Sequence, residues 1–85
     1  MHSPDQARRT IEAAALGISG ATAAKDITYA TSRYEELLVA ASRLPTLDLP
    51  TFYQKAGRLL LVCARGEKHT AERLVEEIRR LLSLC

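Results

Sequence analysis

Residues 23–44 read AAKDITYATSRYEELLVAASRL, and their spacing decides the fold class. Ala23, Ile27, Ala30, Tyr34, Leu37, Ala41 and Leu44 recur at intervals of four and three. That is the seam along which one helix packs beside another. Leu38 widens the stripe, Thr22 is positioned to cap its start, and Pro45 follows its end. The expected helix covers 22–44.

The flanking sequence repeats the pattern. Asp48 reads as an N-cap, and Pro50 is tolerated in a first turn. Leu49, Phe52, Ala56, Leu59, Leu60 and Cys63 then share one face up to Arg65, with Gly66 suited to the position after a helix. After a short Glu67-Lys68-His69 link and a Thr70 cap, Ala71, Leu74, Val75, Ile78, Leu81, Leu82 and Cys85 form another stripe. Expected helices at 49–65 and 70–84, so closely linked, form an antiparallel hairpin.

The N-terminal segment opens on Ser3-Pro4-Asp5-Gln6, a capping-box pattern. Ala7, Ile11, Ala14 and Ile18 follow at helical spacing. Two glycines, Gly17 and Gly20, each weaken a helix by about 1 kcal/mol relative to Ala. A turn at 17–20 is therefore expected, with a kinked continuous helix as the alternative. The reading is an all-α bundle in a single domain, 1–85: three main amphipathic helices plus a short, Ala-rich and detachable N-terminal helix at 4–16.

Composition agrees with this class. The chain has 85 residues, of which 47% are hydrophobic, and 13 Ala and 13 Leu dominate that share. Val plus Ile number seven and aromatics four, too few for a sheet protein. A core of this size barely offsets chain entropy, so help from a partner or a second copy is expected. No apolar run approaches the roughly 18–20 residues that span a bilayer. The start lacks the pattern of a signal peptide. Two cysteines 22 positions apart make no disulfide framework, which points to a cytoplasmic setting. The richness in Ala, Arg and Leu suggests a bacterial or phage origin.

Catalysis finds little support. Glu35 with Glu36, and Glu76 with Glu77, fall on solvated helix faces, and no carboxylate falls on an apolar stripe. Cys63 lies on a core face while His69 lies past the turn, so they are poor candidates for a nucleophile pair. His2, Cys63, His69 and Cys85 lack zinc-ligand spacing. Gly17-Ile18-Ser19-Gly20 matches neither a nucleophile elbow nor a phosphate loop. No enzyme activity, metal or cofactor is expected.

Binding is better supported. Net charge is only +2, which disfavours a default nucleic-acid binder. The excess is local: residues 1–44 and 67–85 balance, while Lys55, Arg58 and Arg65 outweigh Asp48. Those three cations share a face of the third helix. Leu59-Leu60-Leu61-Val62 and Leu81-Leu82-Ser83-Leu84 supply more apolar surface than one neighbour covers. Either the third helix is central and buried on two sides, or some of these side chains form an interaction site. The expected partner-binding residues are Lys55, Arg58, Leu61, Val62, Arg65, Leu81 and Leu84. The expected function is a small non-catalytic protein-interaction module: an adaptor, a chaperone-like subunit or a stoichiometric inhibitor of a larger bacterial or phage-targeted complex. The alternatives are a nucleic-acid-binding module using the basic face, and a structural homo-oligomer such as a homodimer.

Overall fold

A computed structural model describes residues 4–85 as four α-helices: α1 Pro4–Ala21, α2 Ile27–Ala41, α3 Leu49–Arg65 and α4 Lys68–Ser83. The chain is all-α, and no strand occurs among the described residues. The Ser3 cap and the His2 ligand position lie outside the described residues.

The N-terminal helix corrects the sequence reading. At 18 residues α1 is the longest of the four, and it runs through both glycines. Its buried stripe, Ala7, Ile11, Ala14, Ile18 and Ala21, keeps the four-three spacing across Gly17 and Gly20. Burying Ile18 stabilises by about 1.5–3 kcal/mol, enough to offset the two glycines' loss of helix propensity. Gly17 also has a packing use. A Cβ there would lie 3.0 Å from the Tyr29 hydroxyl and 3.3 Å from Arg33 Cδ. The missing side chain leaves room for α2, where the Arg33 guanidinium sits over the Tyr29 ring at 5.4 Å.

The turn comes five residues later than expected, at residues 22–26. Thr22 does not cap α2. Its buried hydroxyl turns back and donates to the Ile18 carbonyl at 3.1 Å. Lys25 adopts a left-handed conformation, φ 53°. Asp26 is the true cap, accepting from the Tyr29 amide at 3.2 Å. Consequently Ala23 and Ile27, the first two seam positions, are exposed, whereas Ala30, Leu37 and Ala41 are buried. At its other end α2 stops at Ala41. Leu44 stays in the core from within the following turn, and Leu47 joins it.

The start of α3 follows expectation. Asp48 accepts from the Thr51 amide at 3.4 Å and from the Thr51 hydroxyl at 2.7 Å. Its end is set by Gly66, whose φ of 73° is left-handed. A Cβ there would also fall 2.7 Å from Lys25 Cε. Because Gly66 reverses the chain within one residue, α4 is already helical at Lys68, and Thr70 is not its cap.

One core joins all four helices. Ile11, Ile18, Leu37, Leu44, Phe52, Leu59, Leu74 and Ile78 are its largest fully buried aliphatic and aromatic residues. Both α1 and α3 pack against the other three helices, while the backbones of α2 and α4 do not approach one another closely. Helix α3 is therefore central, as one reading held. So is α1, which is neither short nor peripheral. An Arg79–Glu12 pair at 2.8 Å ties α1 to α4 on the surface.

Candidate docking face on the third helix

Helix α3 buries Phe52, Ala56, Leu59, Val62 and Cys63. At 3.6 residues per turn, its remaining surface resolves into two adjacent stripes. Tyr53, Gly57, Leu60, Leu61 and Ala64 occupy an arc of about 100°, all of it uncharged. Arg58 and Arg65, seven residues apart, run alongside beyond Leu61. Tyr53, Leu61 and Ala64 are exposed, and Gly57 and Leu60 are half-buried.

The uncharged stripe forms one bank of a shallow apolar groove. Ile27, the first residue of α2, forms the opposite bank to Gly57, Leu60, Leu61 and Ala64, and the open groove between them measures about 280 Å³. Since the start of α2 meets the end of α3, the two helices run antiparallel. Thr31, Tyr34 and Leu38 continue the Ile27 face along α2 without a charge. A larger cleft of about 420 Å³ lies beside α2, but Glu35, Glu36 and Arg43 line it. The groove at α3 is the more apolar of the two.

The seven expected partner-binding residues divide. Leu61, half exposed at 50%, lies on the groove bank, with Arg58 and Arg65 exposed beside it. Val62 is 4% exposed and belongs to the core, so it cannot meet a partner. Its position 100° from Leu61 turns it inward against the bundle. Lys55 is not a free cation: its Nζ donates to Glu77 Oε1 of α4 at 2.5 Å. Leu81 is half-buried against the core and Leu84 is 82% exposed, both near the far end of α4. In an antiparallel hairpin reversing at Gly66, Leu84 lies about 20 Å along the axis from Leu61, at 1.5 Å per residue. The two leucine clusters therefore do not merge into one patch.

Sequence reasoning missed Ile27, Tyr53, Gly57 and Ala64. The signal was present for α3. Tyr53, Gly57, Leu60 and Ala64 repeat at helical spacing beside the core stripe. Ile27 was assigned to the α2 seam, and only the position of the α1–α2 turn moved it to the surface.

Electrostatics on α3 are one-sided. Its sequence holds three cations and no carboxylate. The Lys55 hydrogen bond holds the Glu77 carboxyl below the usual glutamate range, with Coulombic help from Lys55, Arg58 and Arg73. Arg65 reaches Glu67 only at 4.0 Å, in an exposed contact. Arg58 makes no ion pair among the described residues.

The chemical candidates do not assemble. Cys63 is fully buried, and the His69 side chain is 95% exposed at the start of α4, 3.5 Å from Glu72. No group of three or more His, Cys, Asp or Glu able to hold a metal occurs among the described residues. No helix of the described residues is long and apolar enough to cross a membrane. Comparison with protein-family models, with curated proteins and with solved structures returns no match to this chain.

Proposed function

We propose that the chain is a small non-catalytic protein-interaction module, of the adaptor, chaperone-like or inhibitor kind, that binds through the exposed face of α3. The single observation carrying this reading is the groove at Ile27, Gly57, Leu60, Leu61 and Ala64, an apolar surface flanked by Arg58 and Arg65. Contiguous exposed apolar surface with a polar rim is the anatomy of an interface. The bundle holds a shared core beneath this face, so the face can be occupied without unfolding.

The working residues are Leu61 as apolar anchor, with Arg58 and Arg65 at the rim. The test compares wild type with Leu61→Glu in affinity capture from extracts of cells that express the chain. Leu61 is half exposed, so the substitution leaves the core untouched. The expected result is a stoichiometric protein partner retained by wild type and lost with Leu61→Glu, while both chains melt alike. An identical set of captured proteins from the two, or none from either, refutes the reading. Light scattering over a concentration series supplies the second arm. A dimer dissociated by Leu61→Glu would make the chain a structural homo-oligomer instead.

A further inference from the structure

Resting on the docking face just proposed, we infer that its occupant is a single amphipathic helix of another protein, with acidic residues beside its apolar stripe. Three observations carry this.

The first is shape. The groove lies between two antiparallel helices; its α3 lining runs from Gly57 to Ala64, and the uncharged stripe continues to Tyr53. At 1.5 Å per residue the lining is about 10 Å long, two turns of a helix laid alongside, and the whole stripe about 17 Å, three turns. An apolar groove continued by an uncharged stripe of this length takes a helix by its i, i+3, i+4, i+7 face. No atom lies within 4 Å of the Cβ position at Gly57, so a helix can approach the α3 backbone closely there.

The second is charge. The bank is edged by Arg58 and Arg65; among the described residues Arg58 makes no ion pair and Arg65 reaches only the exposed Glu67, at 4.0 Å. Glu77 of the neighbouring helix, which Arg58 also favours at longer range, is hydrogen-bonded to Lys55. A partner bringing carboxylates supplies closer counter-charges than this edge has within the bundle.

The third weighs against an antiparallel second copy as the occupant. Two copies pairing antiparallel, about a two-fold axis perpendicular to α3 at Leu61, set residues before it against residues after it. Arg58 of each copy then comes beside Arg65 of the other. Like charges juxtaposed at an interface oppose binding.

The test uses the full chain and a phage-displayed library of random 20-residue peptides. Enriched peptides are synthesised and titrated against wild type, Leu61→Glu, Leu61→Ser and the double variant Arg58→Gln/Arg65→Gln. All three substituted positions are exposed, and circular dichroism confirms folding of each variant. The expected peptides are acidic, space their apolar residues three and four apart, and become helical on binding. Their affinity is lost with either Leu61 variant. It falls about tenfold with the double arginine variant and weakens with added salt, as rim charge pairs do.

Peptides lost with Leu61→Glu but indifferent to the arginines, or basic or extended in conformation, overturn the acidic helix and leave the docking face standing. Peptides insensitive to both Leu61 variants overturn the face and the helix together. A library that yields no binder overturns the helix. So does a chain that dimerises alone through Leu61, because the occupant is then a second copy.

Discussion

Replacing Gly20 by Ala tests the continuity of α1, the feature on which the sequence and the structure part most clearly. In a helix interior Gly is about 1 kcal/mol less favourable than Ala. Gly20 is the penultimate residue of α1, where half that gain, about 0.5 kcal/mol, is expected. A Cβ at Gly20 meets no atom within 4 Å, so packing takes nothing back. For a domain of this size the corresponding rise in Tm is about 2–4 °C. Gly57→Ala, in the middle of α3 and equally free of neighbours, gives the full helix gain, about 1 kcal/mol and 4–8 °C. Gly17→Ala must shift the Tyr29 hydroxyl and the Arg33 stem, which lie 3.0 Å and 3.3 Å from its Cβ. Displacing them costs about 0.5–1.5 kcal/mol and leaves that variant near wild type. The order of stability is therefore Gly57→Ala, then Gly20→Ala, then Gly17→Ala. Urea denaturation with unchanged m-values, alongside thermal melts, reads it directly. If Gly20→Ala is instead destabilised by 1 kcal/mol or more, the chain turns at Gly20 with positive φ, and the account of α1 is wrong.

Further outcomes follow from burial and pairing. Amide exchange in α1 between Ile11 and Ile18 should be as slow as in α3, because both helices pack on the other three; fast exchange there would restore a detachable first helix. Ile18→Val, at a fully buried site, should lower stability by about 0.5–1.5 kcal/mol in urea titrations. The Lys55 bond depresses the folded pKa of Glu77, so its contribution to stability is present above the ordinary glutamate pKa and is lost as pH falls through the folded value. Asp5, lowered by its Arg8 hydrogen bond, titrates in the same acid window. Glu77→Gln should therefore flatten the acid limb of the stability–pH curve without abolishing it, and an unchanged limb would refute the Lys55 pairing. A thiol reagent should label Cys85 readily and Cys63 only as the bundle opens, since Cys63 is fully buried; equal rates would contradict that burial.

Much of this protein was legible before its structure. Most of the stripes read for α3 and α4 sit in the core, with Leu49, Leu60, Leu81 and Cys85 half-buried at its edge; Asp48 caps α3, and Gly66 takes the left-handed conformation that ends it. These features are local. Periodicity, a cap and a glycine after a helix act through neighbours in sequence, so the sequence displays them. By the same logic the one-sided charge of α3 was visible residue by residue.

The first half of the chain shows where local reasoning stops. Taken alone, Gly17 and Gly20 argue for a turn and Thr22 argues for a cap. Burial of Ile18 and Ala21 carries α1 onward, and the buried Thr22 hydroxyl bonds backward to Ile18. That choice moved the turn to 22–26 and left Ile27 on the surface, where it completes the groove on α3. Similarly, sequence placed Lys55, Arg58 and Arg65 on one face, but only the approach of α4 engaged Lys55 with Glu77. Helix identity was thus set by residue spacing. Helix limits in the first half, and the residues left exposed together, were set by which apolar side chains could be buried at once.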